Sequence, residues 1–230
     1  MTQEHVNIVF QVIVFLFAIS VHESAHAWTA MRLGDPTAYM VGRVTLNPIK
    51  HIDPWGTVIL PLMAVITHFP IIGWAKPTPV NTRNFKRLVR DDILTSVAGP
   101  VSNLLVAIAA VLLLVVMEAA SPNGHQIVQA LAASNGRSIS EGTDSMLLPV
   151  SLLLYNAMFI NVLLAVFNLI PVPPLDGSHV LRHFLSPGLL RIYDGMGIFG
   201  LMFILFFGGR LLGMMLFPVV AIFNSILLSL

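Results

Sequence analysis

Three long stretches of this sequence contain almost no charged side chains, and they restrict the possible folds more than any other feature. Residues 6–31 hold a single Asp, Glu, Lys or Arg, which is Glu23, whereas residues 93–117 and 145–175 hold none. About 20 apolar residues in a helix cross the hydrocarbon core of a bilayer. Because 56% of all residues are hydrophobic and only 10% are charged, a soluble globular protein is excluded.

These stretches predict the three core transmembrane helices of an all-α polytopic membrane protein, with the third helix over residues 146–170. A further apolar run, residues 195–230, is interrupted at Gly208 and Gly209 and is interpreted as one or two C-terminal membrane segments. We expect a single integral membrane domain over residues 1–230, whose core lies in residues 6–180.

The basic residues are concentrated between the first two apolar stretches, where residues 32–90 hold eight of the twelve Lys and Arg side chains. Cytoplasmic segments of membrane proteins carry such an excess, so we predict this region on the cytoplasmic side. Within it, residues 55–75 are hydrophobic but contain two prolines. A full crossing there would place five basic residues outside and put Asp176 on the face opposite His22. A re-entrant element is therefore favoured, although the length permits a crossing.

Two other segments outside the apolar stretches have readable patterns. Residues 38–46 combine β-branched and aromatic side chains between turn formers, so they predict a small β-hairpin near the membrane interface. Residues 119–145 are polar, with Arg137 as their one Lys or Arg, and are interpreted as a loop on the outer side.

The first apolar stretch carries the motif HESAH at residues 22–26, which chance would produce in about 0.005 chains of this composition and length. Residues four apart lie on the same face of a helix, so His22 and His26 can bind one metal ion. Glu23 then stands where a general base can take a proton from a metal-bound water. The alternative is a buried helix in which these side chains only hydrogen-bond with one another. An ionisable group at membrane depth favours the functional interpretation.

The third ligand of such a metal has to come from elsewhere in the chain. With no cysteine present, the donors must be His, Asp or Glu. A catalytic zinc takes three protein ligands and leaves one position open to water. Asp176 is favoured because it follows an uncharged stretch and a run of prolines that cannot continue a helix. The other candidates are His51, Asp53, His68, His179 and His183.

Three motifs together resemble the site-2 protease family of intramembrane zinc metalloproteases. They are HESAH at residues 22–26, GPVSN at residues 99–103 and NLIPVPPLDG at residues 168–177. The resemblance covers about residues 6–180, and its most specific part is the pairing of the first motif with Leu-Asp-Gly in the third.

The resemblance implies an enzyme that hydrolyses peptide bonds within or near the transmembrane segments of membrane proteins. Its expected cofactor is one zinc ion per chain. The residues implied are His22, His26 and Asp176 as zinc ligands, Glu23 as the catalytic base, and Asn103 and Asn168 as substrate-positioning groups.

The resemblance also sets expectations for partners and location. We expect a transmembrane protein substrate, contact with the lipid bilayer and no nucleic acid, whereas the sequence specifies no oligomeric state. The expected location is the plasma membrane of a prokaryote, with the active site towards the cytoplasm. Residues 119–145 are too short for a PDZ module, because an independent domain needs about 50 residues. We predict a minimal member, also without a cystathionine-synthase-type domain, in which the hairpin at residues 38–46 holds the substrate by its strand edge.

Two other functions compete with this interpretation. In a metal-binding membrane transporter or scaffold, buried His, Asp and Asn side chains would line an ion path. Such a protein has no need of Glu23 beside the metal. A membrane zinc protease of the prenyl-protein processing type would take its third ligand from a second His-rich or Glu-rich helix motif, and the sequence contains none.

Overall fold

The computed structural model describes residues 3–59, 63, 75–136, 146–207 and 209–229. Every regular element in these ranges is helical, and no β-strand occurs in them. The α-helices are α1 (Gln3–Leu33), α2 (Thr37–Met40), α3 (Leu88–Ala120), α4 (Pro122–Ser134), α5 (Leu147–Asn168), α6 (Asp176–Arg182), α7 (Pro187–Phe207) and α8 (Gly209–Leu228). Shorter elements are the 3-10 turns Pro48–Lys50 and Thr82–Asn84 and the π-helical turn Pro54–Ile59.

The three predicted core segments are confirmed as helices that are long and apolar enough to cross a membrane. They are Val6–Leu33 within α1, Leu88–Ala120 and Leu147–Asn168. α5 ends just before Pro171, since a proline lacks the N–H that a helix interior needs and its ring clashes with the preceding turn. The chain is therefore a multi-pass integral membrane protein.

The prediction of a β-hairpin over residues 38–46 is wrong, because this stretch forms the helical turn α2 and then irregular turns. Asp35 Oδ1 accepts hydrogen bonds from the N–H and the hydroxyl of Thr37, just where the turn begins. Local side-chain bonds of this kind offer the backbone an alternative to strand pairing. Gly42 then bends the chain with a φ of 70°. The described residues contain no strand that could pair with this stretch.

The prediction of a loop over residues 119–145 is wrong for the part that forms α4. Ser121 caps the start of this helix, because its side chain accepts the N–H of Gly124, and Asn135 caps the end in the left-handed conformation. The polar side chains of this stretch predicted a loop. In the structure they cover only one side of an amphipathic helix. The opposite side is buried and consists of Ile127, Val128, Leu131 and Ala132.

The C-terminal apolar run is carried by two helices, since α7 ends at Phe207 and α8 begins at Gly209. Within α8, Leu212–Leu228 forms a shorter apolar helix. The predicted re-entrant element at residues 55–75 lies largely outside the described residues, which include only its first turn, Met63 and Ala75.

The chain divides into two compact units, and the first consists of Met1–Ala18, Asn103–Val166 and Arg210–Leu230. Its core is apolar and brings together side chains of α3, α4, α5 and α8. The core of this unit therefore includes the amphipathic helix α4 in addition to the membrane-length helices α3 and α5. Its fully buried members include Leu114, Leu131, Met158, Val162 and Leu227.

The second unit consists of Ile19–Ser102 and Phe167–Gly209. It contains the C-terminal part of α1, the N-terminal part of α3, and the short helix α6. In contrast to the first unit, it buries several ionisable side chains, and each of these requires a partner. They include His22, His26, Asp35, Arg43, His51, Asp91 and Asp92.

Candidate metal centre

Three of the predicted site residues converge in the second unit. The Nε2 atoms of His22 and His26 lie 3.1 Å apart. Each faces Oδ2 of Asp176, at 3.1 Å from His22 and 3.4 Å from His26. These donor atoms all lie within 4.8 Å of one another, which is close enough for them to bind one metal ion. Both imidazoles are buried, at 7% exposure, so solvent does not compete for them freely.

The helix α1 positions the two imidazoles because residues four apart lie one turn above each other on the same face. His26 is further oriented by its Nδ1 atom, which donates a hydrogen bond of 2.7 Å to the carbonyl of Thr95 in α3. A carbonyl oxygen can only accept, so in the neutral ring Nδ1 carries the proton and Nε2 keeps its lone pair. Second partners of this kind typically orient the histidine ligands of metals.

The two imidazole nitrogens and the carboxylate oxygen form an arrangement that a bound metal cation would stabilise. The lone pair of His26 Nε2 faces a carboxylate oxygen of Asp176, and this buried oxygen has no regular hydrogen-bond donor among the described residues. Facing acceptors repel one another in a poorly solvated site. Two imidazole nitrogens and one carboxylate oxygen are donors that zinc accepts, so the residues present fit a zinc ion.

Gly99 in α3 makes room for the imidazoles. A Cβ atom at this position would lie 2.6 Å from Nε2 of His22 and closer still to Nε2 of His26. Any side chain here would therefore displace both candidate ligands. The small residue of the GPVSN motif is required by the site itself and not only by helix packing.

Asp176 reaches the imidazoles because the chain turns sharply after α5. Prolines between α5 and α6 prevent a continuous helix, and Asp176 then begins the short helix α6. The adjacent Gly177 allows a close approach of the two backbone segments, since a Cβ there would lie 2.7 Å from the carbonyl oxygen of Ile170. The Leu-Asp-Gly sequence thus combines a ligand with the glycine that lets the chain fold back.

α6 is also held at its far end by α3. His183 Nε2 lies 2.7 Å from Oδ2 of the buried Asp92, and His179 Nδ1 lies 3.9 Å from the other oxygen of the same carboxylate. These two candidate third ligands therefore face Asp92 rather than the cluster around Asp176. Their pairing fixes the orientation of the helix that carries Asp176.

Two further candidate ligands, His51 and Asp53, have partners other than the three converging side chains. His51 Nε2 donates a 2.8 Å hydrogen bond to the carbonyl of Thr45. Asp53 Oδ1 accepts the N–H groups of the π-helical turn that follows it, as an N-terminal cap does. His68 lies outside the described residues.

Glu23, the predicted base, lies on α1 directly after the first imidazole. Its Oε2 atom accepts two hydrogen bonds from Thr78, one of 3.0 Å from the backbone N–H and one of 2.7 Å from the hydroxyl. Sequence reasoning missed Thr78, and also Thr95 as the partner of His26. The Pro-Thr-Pro sequence at residues 77–79 was the available signal, because it indicates an extended segment with one backbone donor.

The two predicted substrate-positioning residues have different surroundings. Asn103 belongs to the first unit and is fully buried, and its Nδ2 donates to Asn161 Oδ1 at 2.8 Å and to the carbonyl of Ala18 at 3.2 Å. These hydrogen bonds support a role in helix packing, and a role in substrate binding stays a prediction. Asn168 is the last residue of α5, eight positions before Asp176.

The chain is similar to several bacterial proteins named as zinc metalloproteases. "Putative zinc metalloprotease YwhC" of Bacillus subtilis (strain 168) is 39% identical over 182 residues, which are 78% of this chain and 71% of that protein. Two proteins named "Putative zinc metalloprotease Rip2", from Mycolicibacterium smegmatis and Mycobacterium tuberculosis (strain H37Rv), are 30% and 27% identical over 77% and 83% of this chain. The chain covers 58% and 63% of the lengths of these two relatives. No solved structure matches the chain.

A multi-pass membrane protein in which two histidines and an aspartate converge belongs to the class of membrane proteins with a candidate metal centre. Residues 10–207 match the family described as Peptidase family M50. The chain belongs to this family, the site-2 protease family of intramembrane zinc metalloproteases, as the motif resemblance predicted. The family match gives no support to the transporter or scaffold alternative.

Proposed function

We propose that His22, His26 and Asp176 bind a single zinc ion and that Glu23 is the general base of peptide-bond hydrolysis. The observation that carries the proposal is the convergence of three donor atoms within 4.8 Å from helices that are distant in sequence. Gly99 supports it independently, because the close approach of α3 leaves no space for any side chain except hydrogen.

The chemistry divides between the metal and the chain. Bound zinc supplies a water of lowered pKa and polarises the carbonyl group that is attacked. His26 keeps Nε2 available as a ligand by donating from Nδ1 to Thr95. Glu23 accepts a proton from the attacking water and returns it to the nitrogen of the leaving amine. Its carboxylate can do both because it lies on α1 next to His22, one turn or less from both imidazoles.

The location of the site determines which peptide bonds can be attacked. His22 and His26 lie within an apolar helix of membrane length, so a substrate segment must reach a site below the membrane surface. A transmembrane helix hides its carbonyl groups in its own hydrogen bonds. The substrate helix therefore has to unwind locally before Glu23 and the metal can act on it.

We also propose how the protein lies in the membrane. Eight of the twelve Lys and Arg side chains are between residues 32 and 90, which comprise the end of α1, its connection to α3 and the start of α3. By the excess of positive charge this connection is cytoplasmic. The His22 end of α1 then opens towards the cytoplasm of a prokaryotic cell, and residues 1–230 act as one protease domain with one zinc ion.

The test compares three variants of the purified protein in detergent, with zinc measured by mass spectrometry and cleavage measured on a single-pass membrane reporter. Glu23→Gln should keep its zinc and lose activity by about 10²- to 10⁴-fold, because only proton transfer is removed. His26→Ala and Asp176→Ala should lose both zinc and activity, because a ligand is removed.

Two variants serve as matched controls. His125→Ala and Asp194→Ala remove the same residue types at positions paired with Glu118 and Arg182, and both should keep zinc and activity. Full activity in Glu23→Gln would overturn the assignment of the base. Retention of one zinc per chain in Asp176→Ala would overturn the assignment of the third ligand.

A further inference from the structure

The carboxylate of Glu23 is held by one residue that lies far away in sequence. Both the backbone N–H and the hydroxyl of Thr78 donate to Oε2 of Glu23, at 3.0 Å and 2.7 Å. The hydroxyl also lies 3.2 Å from the backbone carbonyl of Glu23. Within the described residues, the hydrogen bonds to this carboxylate fall on Oε2. The other oxygen, Oε1, is therefore the one left for proton transfer.

The sequence around Thr78 suits it to this task. Pro77 and Pro79 have no N–H, so Thr78 is the only backbone donor among the three residues. Proline also fixes its own φ angle and disfavours helical backbone in the residue before it. Residues 75–81, which we call the proline segment, are accordingly irregular and extended rather than helical. The two prolines thus restrict the backbone around Thr78 and keep its N–H in one direction.

The proline segment is fixed before Thr78 by a buried arginine. The guanidinium of Arg43, 5% exposed, donates to the carbonyls of Lys50, Lys76 and Pro77 at 2.7, 3.2 and 3.3 Å. The rigid planar fork of an arginine can hold several carbonyls at once. The backbone N–H of Lys76 adds a 2.9 Å hydrogen bond to the carbonyl of His51.

The proline segment is fixed after Thr78 by a buried aspartate. Oδ2 of Asp35 accepts the N–H of Asn81 at 2.7 Å, and Oδ1 accepts the amide of Asn84 at 2.8 Å. Burial alone would raise the pKa of Asp35, but hydrogen bonds from Thr37, Asn84 and Asn81 outweigh it and hold the pKa below its ordinary value. Asp35 therefore stays ionised as an anchor at neutral pH.

A glutamate needs such support when it serves as a base. Its side chain has three rotatable bonds, and an unrestrained carboxylate samples several rotamers. Proton transfer requires hydrogen-bond distance to the reacting atoms, and a misplacement of about 1 Å can cost 10²-fold in rate. Two donors on one oxygen fix both the position and the rotation of the carboxylate.

We propose that Thr78 is a positioning residue for catalysis, which holds Oε2 of Glu23 so that Oε1 faces the reacting water. The inference rests on the assignment of Glu23 as the base under the proposed function. Thr78 acts through Glu23 and is itself neither a zinc ligand nor a catalytic group.

The test uses Thr78→Val, which keeps the shape and the backbone N–H but removes the hydroxyl, and Thr78→Ser, which restores the hydroxyl. On a single-pass membrane reporter that the wild-type protein cleaves, kcat of Thr78→Val should fall about 10- to 100-fold with KM unchanged. Its zinc content and its unfolding temperature should equal those of the wild type. Thr78→Ser should recover most of kcat, and Thr82→Val, a matched change four residues further on, should have no effect.

A second readout does not depend on cleavage. The carboxylate stretching band of Glu23 can be assigned in infrared spectra of the metal-free protein as the band that is missing in Glu23→Gln. Loss of the hydroxyl hydrogen bond should shift this band in Thr78→Val and leave it unchanged in Thr78→Ser and Thr82→Val.

Several results would overturn the positioning role. They are a kcat of Thr78→Val within twofold of wild type, a Glu23 band that does not shift, a Thr78→Ser variant as slow as Thr78→Val, or a loss of activity that follows a loss of zinc. Glu23→Gln is assayed in parallel to separate the two proposals. If Glu23→Gln is active, the proposed base is wrong, whereas an inactive Glu23→Gln beside a fully active Thr78→Val refutes only the role of Thr78.

Discussion

Two clusters of buried polar side chains, one in each unit of the molecule, differ in how their atoms are paired. In the first unit, the amides of Asn103 and Asn161 are fully buried and bonded to each other, and Asn161 also donates to the carbonyl of Ala157. In the second unit, the Nε2 atoms of His22 and His26 and a carboxylate oxygen of Asp176 converge within 3.4 Å of one another. An amide pair contains its own donors and acceptors, whereas two imidazole nitrogens and a carboxylate oxygen are a set of ligands for a metal cation.

This difference indicates that the stability of the protein and its metal binding depend on different units. A self-contained amide pair and an apolar core contribute to the stability of the first unit in any metal state. In the second unit, Thr95 orients the imidazole of His26, and Asp92 pairs with His183 at the end of the helix that carries Asp176. Substitutions in the two units should therefore affect different measured quantities, namely unfolding in one and zinc content in the other.

The largest expected effect comes from Gly99→Ala. Helix propensity alone would make this change favourable by about 1 kcal/mol. The added Cβ would nevertheless lie 2.6 Å from Nε2 of His22, so the imidazoles must move. We expect loss of zinc and at least about a 10³-fold loss of cleavage rate, because metal catalysis supplies several kcal/mol. Zinc content and reporter cleavage are measured on the folded protein.

Gly188→Ala is the matched control, since nothing lies within 4 Å of a Cβ at that position. This variant should keep both zinc and activity. A Gly99→Ala protein that binds zinc like the wild type would show that the helix contact with the imidazoles is unimportant.

A smaller effect, on stability alone, is expected for Leu131→Ala in the core of the first unit. Leu131 is fully buried on α4, so its truncation leaves a cavity and should lower the free energy of unfolding by about 2–5 kcal/mol. Zinc per folded chain should not change. Denaturant unfolding in detergent checks the first expectation and metal analysis the second.

Leu105→Ala provides the comparison, because Leu105 is 61% exposed on α3 and its truncation leaves no cavity. A Leu131→Ala protein that remains folded but has lost its zinc would contradict the separation of stability from metal binding.

The smallest effect is expected for the amide pair of Asn103 and Asn161. A double-mutant cycle with Asn103→Ala and Asn161→Ala should give a coupling free energy of about 0.6 kcal/mol, and at most about 1.7, as for other hydrogen bonds between membrane helices. If Asn103 instead positions substrate, its variant will raise KM while Asn161→Ala leaves KM unchanged. The same assay on Asn168→Ala tests the other substrate-positioning prediction.

The features that sequence patterns predicted correctly depend on spacing or on composition. The three membrane-length helices follow from uncharged stretches, and the family follows from motifs that are short and local. The same spacing puts His22 and His26 on one face of α1, since a helix repeats every 3.6 residues. Asp176 could be selected as the third candidate because a charge is rare after so long an apolar stretch.

The errors arose where short-range signals competed. At residues 38–46, strand propensity was overridden by the hydrogen bonds of Asp35 with Thr37 and by the turn at Gly42. At α4, a capping serine, a proline in the first turn and a terminating asparagine were present in the sequence. The loop prediction instead followed the polar residues, which lie on the exposed side of the helix.

By itself, the sequence determined the class of protein, the two histidines with the glutamate between them, and the aspartate that could join them. Only the tertiary structure decided that Thr95 orients His26, that Gly99 clears space for both imidazoles, and that Thr78 holds Glu23. The physical reason is range. Helical periodicity relates residues a few positions apart. These contacts join residues that are at least 55 positions apart in the sequence, and they depend on how the helices pack.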